Sequence, residues 1–293
     1  MFDKLAACRL CPRACGVDRR LGKGFCGAGE NPVINLWHLH MGEEPVLSGV
    51  RGSGTIFFSH CNLHCVYCQN YVISQQGCGS EYSVEELGII MLFLASQGAH
   101  NVNLVTPTHF TPQIRAAIIA AREKGFRLPV VWNSSAYELP ETLHTLDGLV
   151  DIYLPDFRYS APAAARLYSG AIDYPERARS AILEMFRQTG HLQIDAHGIA
   201  VRGLICRLLV LPGNVNRVDL TLKWIADHLG PETAISLMAQ YYPTYRAVEF
   251  PEINRALLAA EFEEIVEIAE DLGFENGFIQ EVGATPEWTP EFG

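Results

Sequence analysis

Six short apolar runs recur after about residue 50, and they constrain the fold more than any other feature of the chain. They are TIFFS (55–59), NVNLVT (101–106), LPVVWN (128–133), LVDIYL (149–154), LICRLLVL (204–211) and AISLMA (234–239). Short runs that are apolar and rich in β-branched residues are the pattern of strands buried on both faces. Amphipathic segments separate them. Ser83 and Glu86 make a capping box that opens a helix ending near Gly98, and the helix from Pro112 to Lys124 stops at Gly125. Further helices are expected near 162–169, 175–189, 217–229 and 252–272, the last with Glu261, Glu263, Glu264, Glu267, Glu270 and Asp271 on its wet face. Repeated β-α units predict an α/β fold with a parallel sheet and helices outside, and six units predict a partial (β/α)6 TIM-like barrel.

Chemistry in such a barrel sits at the C-terminal ends of the strands. The polar clusters of this chain fall there: Ser59 to Cys68, Thr106 to His109, Asn133 to Ser135, Asp156 to Arg158, Pro212 to Asn216 and Gln240 to Tyr245. Residues 1–50 differ in texture, being rich in Cys, Gly and Arg. They read as a small Cys-rich N-terminal module ahead of a barrel over 51–293.

With 293 residues, 48% of them hydrophobic, the chain can bury one large core and a small appendage. The net charge of −11 argues against nucleic-acid or anionic-membrane binding, which needs a basic face. No apolar run approaches the ~18 residues of a membrane span, and MFDKLAACRL lacks a signal-peptide core, so a cytoplasmic location is expected. Clustered cysteines in that reducing compartment read first as metal ligands. Lys4, Arg9, Arg13, Arg19, Arg20 and Lys23 make the first two dozen residues locally basic, either as a solvated face or as a partner surface.

Cys61, Cys65 and Cys68 follow the first strand with the spacing C-x3-C-x2-C. Structural zinc wants four protein ligands, whereas a [4Fe-4S] cube can be held by three, leaving one iron open to chelate a substrate or cofactor. The alternative is a zinc knuckle completed by His60 or His64. This local sequence resembles the radical S-adenosylmethionine (SAM) enzymes. That resemblance implies an open iron binding the amino and carboxylate groups of SAM, reductive cleavage to a 5′-deoxyadenosyl radical, and hydrogen abstraction from a substrate.

Over essentially its full length the chain resembles the pyruvate formate-lyase activating-enzyme-like branch of that superfamily, through CRLCPRACGVDRRLGKGFCGAG, FFSHCNLHCVYCQNYVIS, NVNLVTPTHFTPQI, VVWNSSAYE, DIYLPDFRY and RLLVLPG. Activases hold the SAM amino group with Gly-Gly-Glu after the second strand. Here Thr106, Pro107, Thr108 and His109 occupy that place, so Thr106 and Thr108, by backbone carbonyl or hydroxyl, are the substitutes. Asn133 and Ser134 resemble the Thr-Asn-Gly-like segment, while Asp156 and Arg158 resemble the Asp-x-Lys stretch near the SAM carboxylate and ribose. Arg207 matches an activase arginine, with an ion pair to Asp156 as its alternative. The resemblance implies a partner glycyl-radical enzyme or other protein substrate, and a reductant such as flavodoxin or ferredoxin. Modification of a small molecule or of another protein residue stays open, as does a zinc-binding structural protein.

Cys8, Cys11, Cys15 and Cys26 form a complete four-thiolate set in a Gly-rich region too small for its own core. Zinc, a second [4Fe-4S] cluster relaying electrons to the first, or four packed reduced thiols would each account for it. His109 is a substrate-facing acid or base, or a satisfied loop histidine. Tyr241, Tyr242 and Tyr245 are rim-packing candidates, and Cys78 and Cys206 small buried hydrophobes.

Overall fold

The computed structural model describes residues 2–283 and 292. Its strands, in chain order, are β1 (Val33–His40), β2 (Ser53–Phe58), β3 (Ser80–Glu81), β4 (Val102–Val105), β5 (Val130–Ser134), β6 (Ile152–Pro155), β7 (Gln193–Ile194), β8 (Ala200–Leu209), β9 (Ala234–Met238) and β10 (Gly277–Ile279). They form one sheet in the order β10-β9-β8-β6-β5-β4-β2-β1-β3, with β7 paired to β8. From β2 to β10 along that order every pairing is parallel. β1 is antiparallel to β2, and the sheet forms a partial barrel with β10 and β3 at its two ends.

All six anticipated strands are present. β2, β4, β5, β6 and β9 are buried at every position, as strands covered on both faces must be. The seventh parallel strand, β10, escaped the sequence reading because it is three residues long, half-exposed and at an edge. Ser83 accepts from the Glu86 N–H and the Glu86 carboxylate accepts from the Ser83 N–H, completing the capping box of the helix Val84–Ser96. The helices Thr111–Glu123, Pro162–Ser169, Tyr174–Thr189 and Val218–Leu229 fall where the periodicity puts them. The last helix is Ala259–Asp271, shorter than the expected 252–272. The Glu261 carboxylate takes the Leu258 N–H and the Arg255 guanidinium, which sets the start at that point and leaves 252–258 outside the helix.

Alternation along the strands creates the site. On the inner face Val131, Ile152, Leu154, Ile205 and Ala234 pack into an apolar floor, sealed by Leu47 from the 41–49 connection. Two residues further along the same faces stand Asn133, Asp156, Arg207 and Ser236. The outer face carries Trp132, Tyr153, Leu204 and Cys206 into the larger core with the helices. The connection before β2 is tied inward by two buried asparagines: Asn101 donates to the Leu47 carbonyl (2.8 Å) and Asn103 to Glu43 (2.8 Å).

Within residues 1–50, β1 belongs to the main sheet, while the cysteine-bearing residues before it form an irregular lobe with one short 3-10 turn at Phe2–Leu5. Leu5, Cys8 and Leu10 are its small core. Two arginines fasten it to the barrel. Arg19, 2% exposed, donates to the carbonyls of Gly29 and His109. Arg13 donates to the carbonyls of Asn62 (2.9 Å), Gly170 (2.6 Å) and Ser169 (3.3 Å), and its guanidinium lies 4.2 Å from the Phe25 ring centre. Arg20 pairs with Asp18, so three of the six basic residues of this stretch are engaged within the protein. Gly27 is required at the seam: its φ is +87°, and a Cβ there would stand 2.7 Å from the His60 ring.

His109 is buried, and its Nε2 faces the Ser59 carbonyl at 2.8 Å. A carbonyl only accepts, so Nε2 carries a proton. Burial pushes its pKa from 6.5 down to about 3, outweighing the Ser59 contact. His109 is therefore an enclosed, neutral histidine held through Nε2 and only half satisfied, because its buried Nδ1 has no hydrogen-bond partner among the described residues. A depressed folded-state pKa means stability is complete above about pH 6.5 and drains as pH falls toward 3. His109 should accordingly contribute a slope of about 1.4 kcal/mol per pH unit between pH 5.5 and 4. Denaturant unfolding across that range checks it, because His109→Gln should remove one proton's worth of slope from the profile.

Candidate functional site

The chain leaves β2 at Phe58 and enters the cysteine loop through Ser59 and His60, the latter at φ +72°. Backbone bonds then hold the loop from three sides. Val66 N–H donates to the Tyr168 carbonyl (2.8 Å), Arg246 N–H donates to the Val66 carbonyl (2.8 Å), and the Asn62 side chain donates to the Tyr137 carbonyl (2.7 Å). Cys61, Cys65 and Cys68 consequently line a single cavity of about 80 Å³.

Each sulfur has a polar neighbour. The Leu63 N–H points at Cys61 Sγ (3.4 Å), the Ser169 hydroxyl at Cys65 Sγ (2.9 Å), and Ser74 Oγ lies 3.1 Å from Cys68 Sγ. Ser169 is itself held at 2.7 Å by Tyr159, whose hydroxyl is 2.7 Å from that of Tyr67. Burial pushes the Cys61 thiol up to about 12 and raises that of Cys68, with neighbouring cysteines adding to both. Such thiols ionise only against a strong positive charge, which is what a metal centre supplies. Among the described residues no three His, Cys, Asp or Glu side chains converge on a point for a single metal ion. A cube asks for something different, since each of its irons takes one thiolate and the ligands stand apart.

Opposite the thiols stand side chains from the other strand ends. Thr106, Asn133, Ser134, Asp156, Arg158 and Arg207 all line the same cavity. Thr106 is held at φ +59°, a left-handed conformation rare for a β-branched residue, with its N–H on the Asn133 carbonyl (2.8 Å). Asp156 receives two cations: Arg158 at 2.6 Å on Oδ2 and Arg207 at 2.8 Å on Oδ1. Arg207 also donates to Asn133 Oδ1 (2.7 Å) and faces Glu43 at 3.3 Å. Arg158 directs Nη1 toward Cys65 Sγ at 4.0 Å, while its buried Nε has no partner in the protein.

Thr108 is the exception among the expected residues. Its hydroxyl donates to Glu138 Oε1 (2.9 Å) and its carbonyl accepts from Thr111 (2.7 Å), so it turns into the core and is not part of the cysteine cavity's lining. Glu138 collects the Trp132 N–H (3.0 Å) and the Ser134 hydroxyl (2.5 Å) as well. That buried carboxylate, organising the ends of two strands, went unnoticed in the sequence, although it stands at the end of the VVWNSSAYE stretch. Ser169 and Glu43 carried no signal, because each acts through a contact more than a hundred residues away. Tyr241 is buried, as rim packing requires, and Cys206 is wholly enclosed.

Cys8, Cys11, Cys15 and Cys26 lie together in the N-terminal lobe. A Cβ on Gly24 would be 3.4 Å from Cys15 Sγ and 3.5 Å from Cys26 Sγ. Burial pushes the Cys11 thiol up to about 11 and raises that of Cys26, whereas Cys15 is exposed and its thiol is lowered, the N–H groups of Phe25 and Val17 outweighing what burial remains. The lobe touches the first cysteine loop directly, with Phe25 stacked on His64 at 4.5 Å and Arg13 on the Asn62 carbonyl.

Comparison with known proteins agrees with this geometry. The model of the radical SAM superfamily matches residues 55–187, a stretch that holds the three loop cysteines, Thr106, Asn133, Asp156 and Arg158. An uncharacterized protein of Methanocaldococcus jannaschii is 32% identical over 273 residues, covering 90% of this chain and 74% of its own length. A second from the same organism is 22% identical over 303 residues, covering 94% and 80%. Among solved structures, HydG, a maturase of the [FeFe]-hydrogenase, is similar with a TM-score of 0.49 at 14% identity, over 75% of this chain and 48% of that one. HydG from Carboxydothermus hydrogenoformans gives 0.48 at 13%, over 75% and 50%. The chain thus spans about half the length of those maturases. No membrane-crossing helix is present among the described residues. The chain thus belongs to one family with the first Methanocaldococcus jannaschii relative, and its residues 55–187, where three thiols share one cavity at the strand ends, form a radical SAM superfamily domain.

Proposed function

We propose that Cys61, Cys65 and Cys68 hold a [4Fe-4S] cluster, and that the chain uses it with SAM to take a hydrogen atom from a substrate seated beside the cysteine loop. The observation that carries this is the single cavity in which three thiols, that of Cys65 buried and those of Cys61 and Cys68 half-buried, face Asn133, Asp156, Arg158 and Arg207. When bound, the cluster and SAM supply one-electron cleavage of a carbon–sulfur bond and the 5′-deoxyadenosyl radical.

The protein's own part is to hold and screen. Asn133, Ser134 and Thr106 shape the wall opposite the thiols. Arg158 spends Nη2 on Asp156 and keeps Nε free, so it can offer a charge-assisted bond to the SAM carboxylate. Asp156 holds both guanidinium groups in place. The buried wall keeps water from reactive species.

In its narrower form the reading takes the hydrogen donor to be a glycine of a partner enzyme, on the strength of the activase-like stretches, with flavodoxin or ferredoxin as reductant. The four N-terminal thiols are proposed as a second metal site for zinc or a further cluster, with the thiols, which do not converge on one point as they stand, closing on the metal as it binds. Arg13 and Phe25 of the N-terminal lobe touch Asn62 and His64 in the Cys61–Cys68 loop, which supports a role for such a cluster in passing electrons inward.

Two outcomes are expected. Anaerobically purified protein should release 5′-deoxyadenosine from SAM on reduction. The Cys61→Ala, Cys65→Ala, Cys68→Ala variant should lose that activity and about four irons per chain, any metal left assigning the N-terminal site. Zinc alone in the reconstituted protein, with no cleavage, would exclude the reading. Ser169→Ala should still assemble the cluster but move its midpoint potential to more negative values. Losing a donor to the Cys65 sulfur destabilises the more negatively charged reduced state, which a spectroscopic redox titration reads directly.

A further inference from the structure

A second and larger cavity, of about 430 Å³, adjoins the cysteine cavity, and Asn133 and Arg207 line both. Its wall includes Glu43, Glu44, His40 and Gln240. The charges around it do not balance. Among the described residues three carboxyl groups (Glu43, Glu44 and Asp156) share two guanidinium groups, Arg158 and Arg207, and both Arg158 and Arg207 are already bonded to Asp156. His40 does not make up the difference, since burial lowers its pKa and keeps the ring neutral at pH 7.

The imbalance falls on the two glutamates. Glu43 has the Asn103 amide and a 3.3 Å contact to Arg207. Burial pushes its carboxyl up to about 7 against the pull of Arg207, with Glu44 and Asp156 adding to the rise. Glu44 is 9% exposed, and its Oε2 is buried with no hydrogen-bond partner in the protein. A buried carboxylate oxygen left without a donor is costly, and a donor-bearing cation satisfies it while restoring neutrality.

We propose that this cavity is a binding site for an ammonium- or guanidinium-bearing ligand, with Glu43 and Glu44 as acceptors and the cysteine cavity as its neighbour. The inference rests on the radical SAM reading only for which ligand brings the cation. SAM carries an ammonium of its own, and a substrate amine is the other source. The size of the cavity suits a small molecule or one side chain of an extended segment, not a folded surface.

The experiment is anaerobic equilibrium binding to the full-length, cluster-loaded chain and to its Glu43→Gln and Glu44→Gln variants. The probes are SAM, 5′-methylthioadenosine (which lacks the amino-acid portion), lysine and agmatine. Gln preserves shape and removes the charge, and unchanged circular dichroism and thermal midpoint certify folding. If SAM's own ammonium is held here, its affinity falls at least tenfold in the variants while that of methylthioadenosine stays within twofold. If the site is for a substrate amine, SAM affinity is unchanged, and saturable lysine or agmatine binding by wild type drops at least tenfold. SAM affinity within twofold of wild type in both variants, with no carboxylate-dependent amine binding, overturns the proposal. A wild type that binds no SAM at all would instead count against the radical SAM reading. The amine probes would still decide the cavity.

Discussion

Arg207 is the pin on which the mouth of the barrel depends. Its guanidinium reaches Asp156 after β6, Asn133 at the end of β5 and Glu43 in the connection before β2, so one side chain on β8 ties together segments far apart in sequence. A buried guanidinium is stable only while its donors are matched, and removing one partner leaves an uncompensated charge at considerable cost. Position along the strand decides what it meets: two residues earlier Ile205 faces the apolar floor, and at Arg207 the same face opens onto the cavity. The apolar floor and the polar mouth are consecutive turns of one pleat.

The N-terminal lobe obeys the opposite economy. It has almost no core, and it is held by arginines that donate to backbone carbonyls rather than to carboxylates. The last carbonyls of a helix fall outside its own ladder, and at the end of the helix Pro162–Ser169 Arg13 donates to those of Ser169 and Gly170, the former also accepting from the His64 N–H. Because Arg13 also bonds the Asn62 carbonyl, inside the cysteine loop, the position of the lobe and the shape of that loop are coupled. A lobe rich in thiols is thereby pressed against the loop that carries the other three.

Much of this was legible in the chain itself. The runs TIFFS and LPVVWN lie on β2 and β5 because burial on both faces demands that composition wherever the strand sits. Ser83 with Glu86 marks a helix start because the capping bonds span only three residues. The loop cysteines, Thr106, Asn133, Ser134, Asp156, Arg158 and Arg207 converge as the strand ends imply. Thr108 does not, because the choice between cavity and core depended on Glu138, thirty residues on, offering its hydroxyl an acceptor. In the basic N-terminal stretch Lys4, Arg9, Arg20 and Lys23 are exposed, as a solvated face requires, and Arg19 is the departure. Arg19 looks like a surface charge in sequence and is among the most enclosed side chains in the protein.

Sequence alone therefore determined the order of the elements, the strand ends as the place for chemistry, and the thiols available there. Each of these rests on periodicity or spacing within a dozen residues. Tertiary structure decided which polar groups share a cavity and in what state of charge. The Ser169 contact to Cys65 spans 104 residues and the Glu43 contact to Arg207 spans 164. No local pattern encodes such pairs, because a side chain's partners follow from which face of which strand it occupies after the sheet has curled. The same folding leaves Glu44 buried with an unmatched oxygen, a property that belongs to the cavity and not to any segment of the chain.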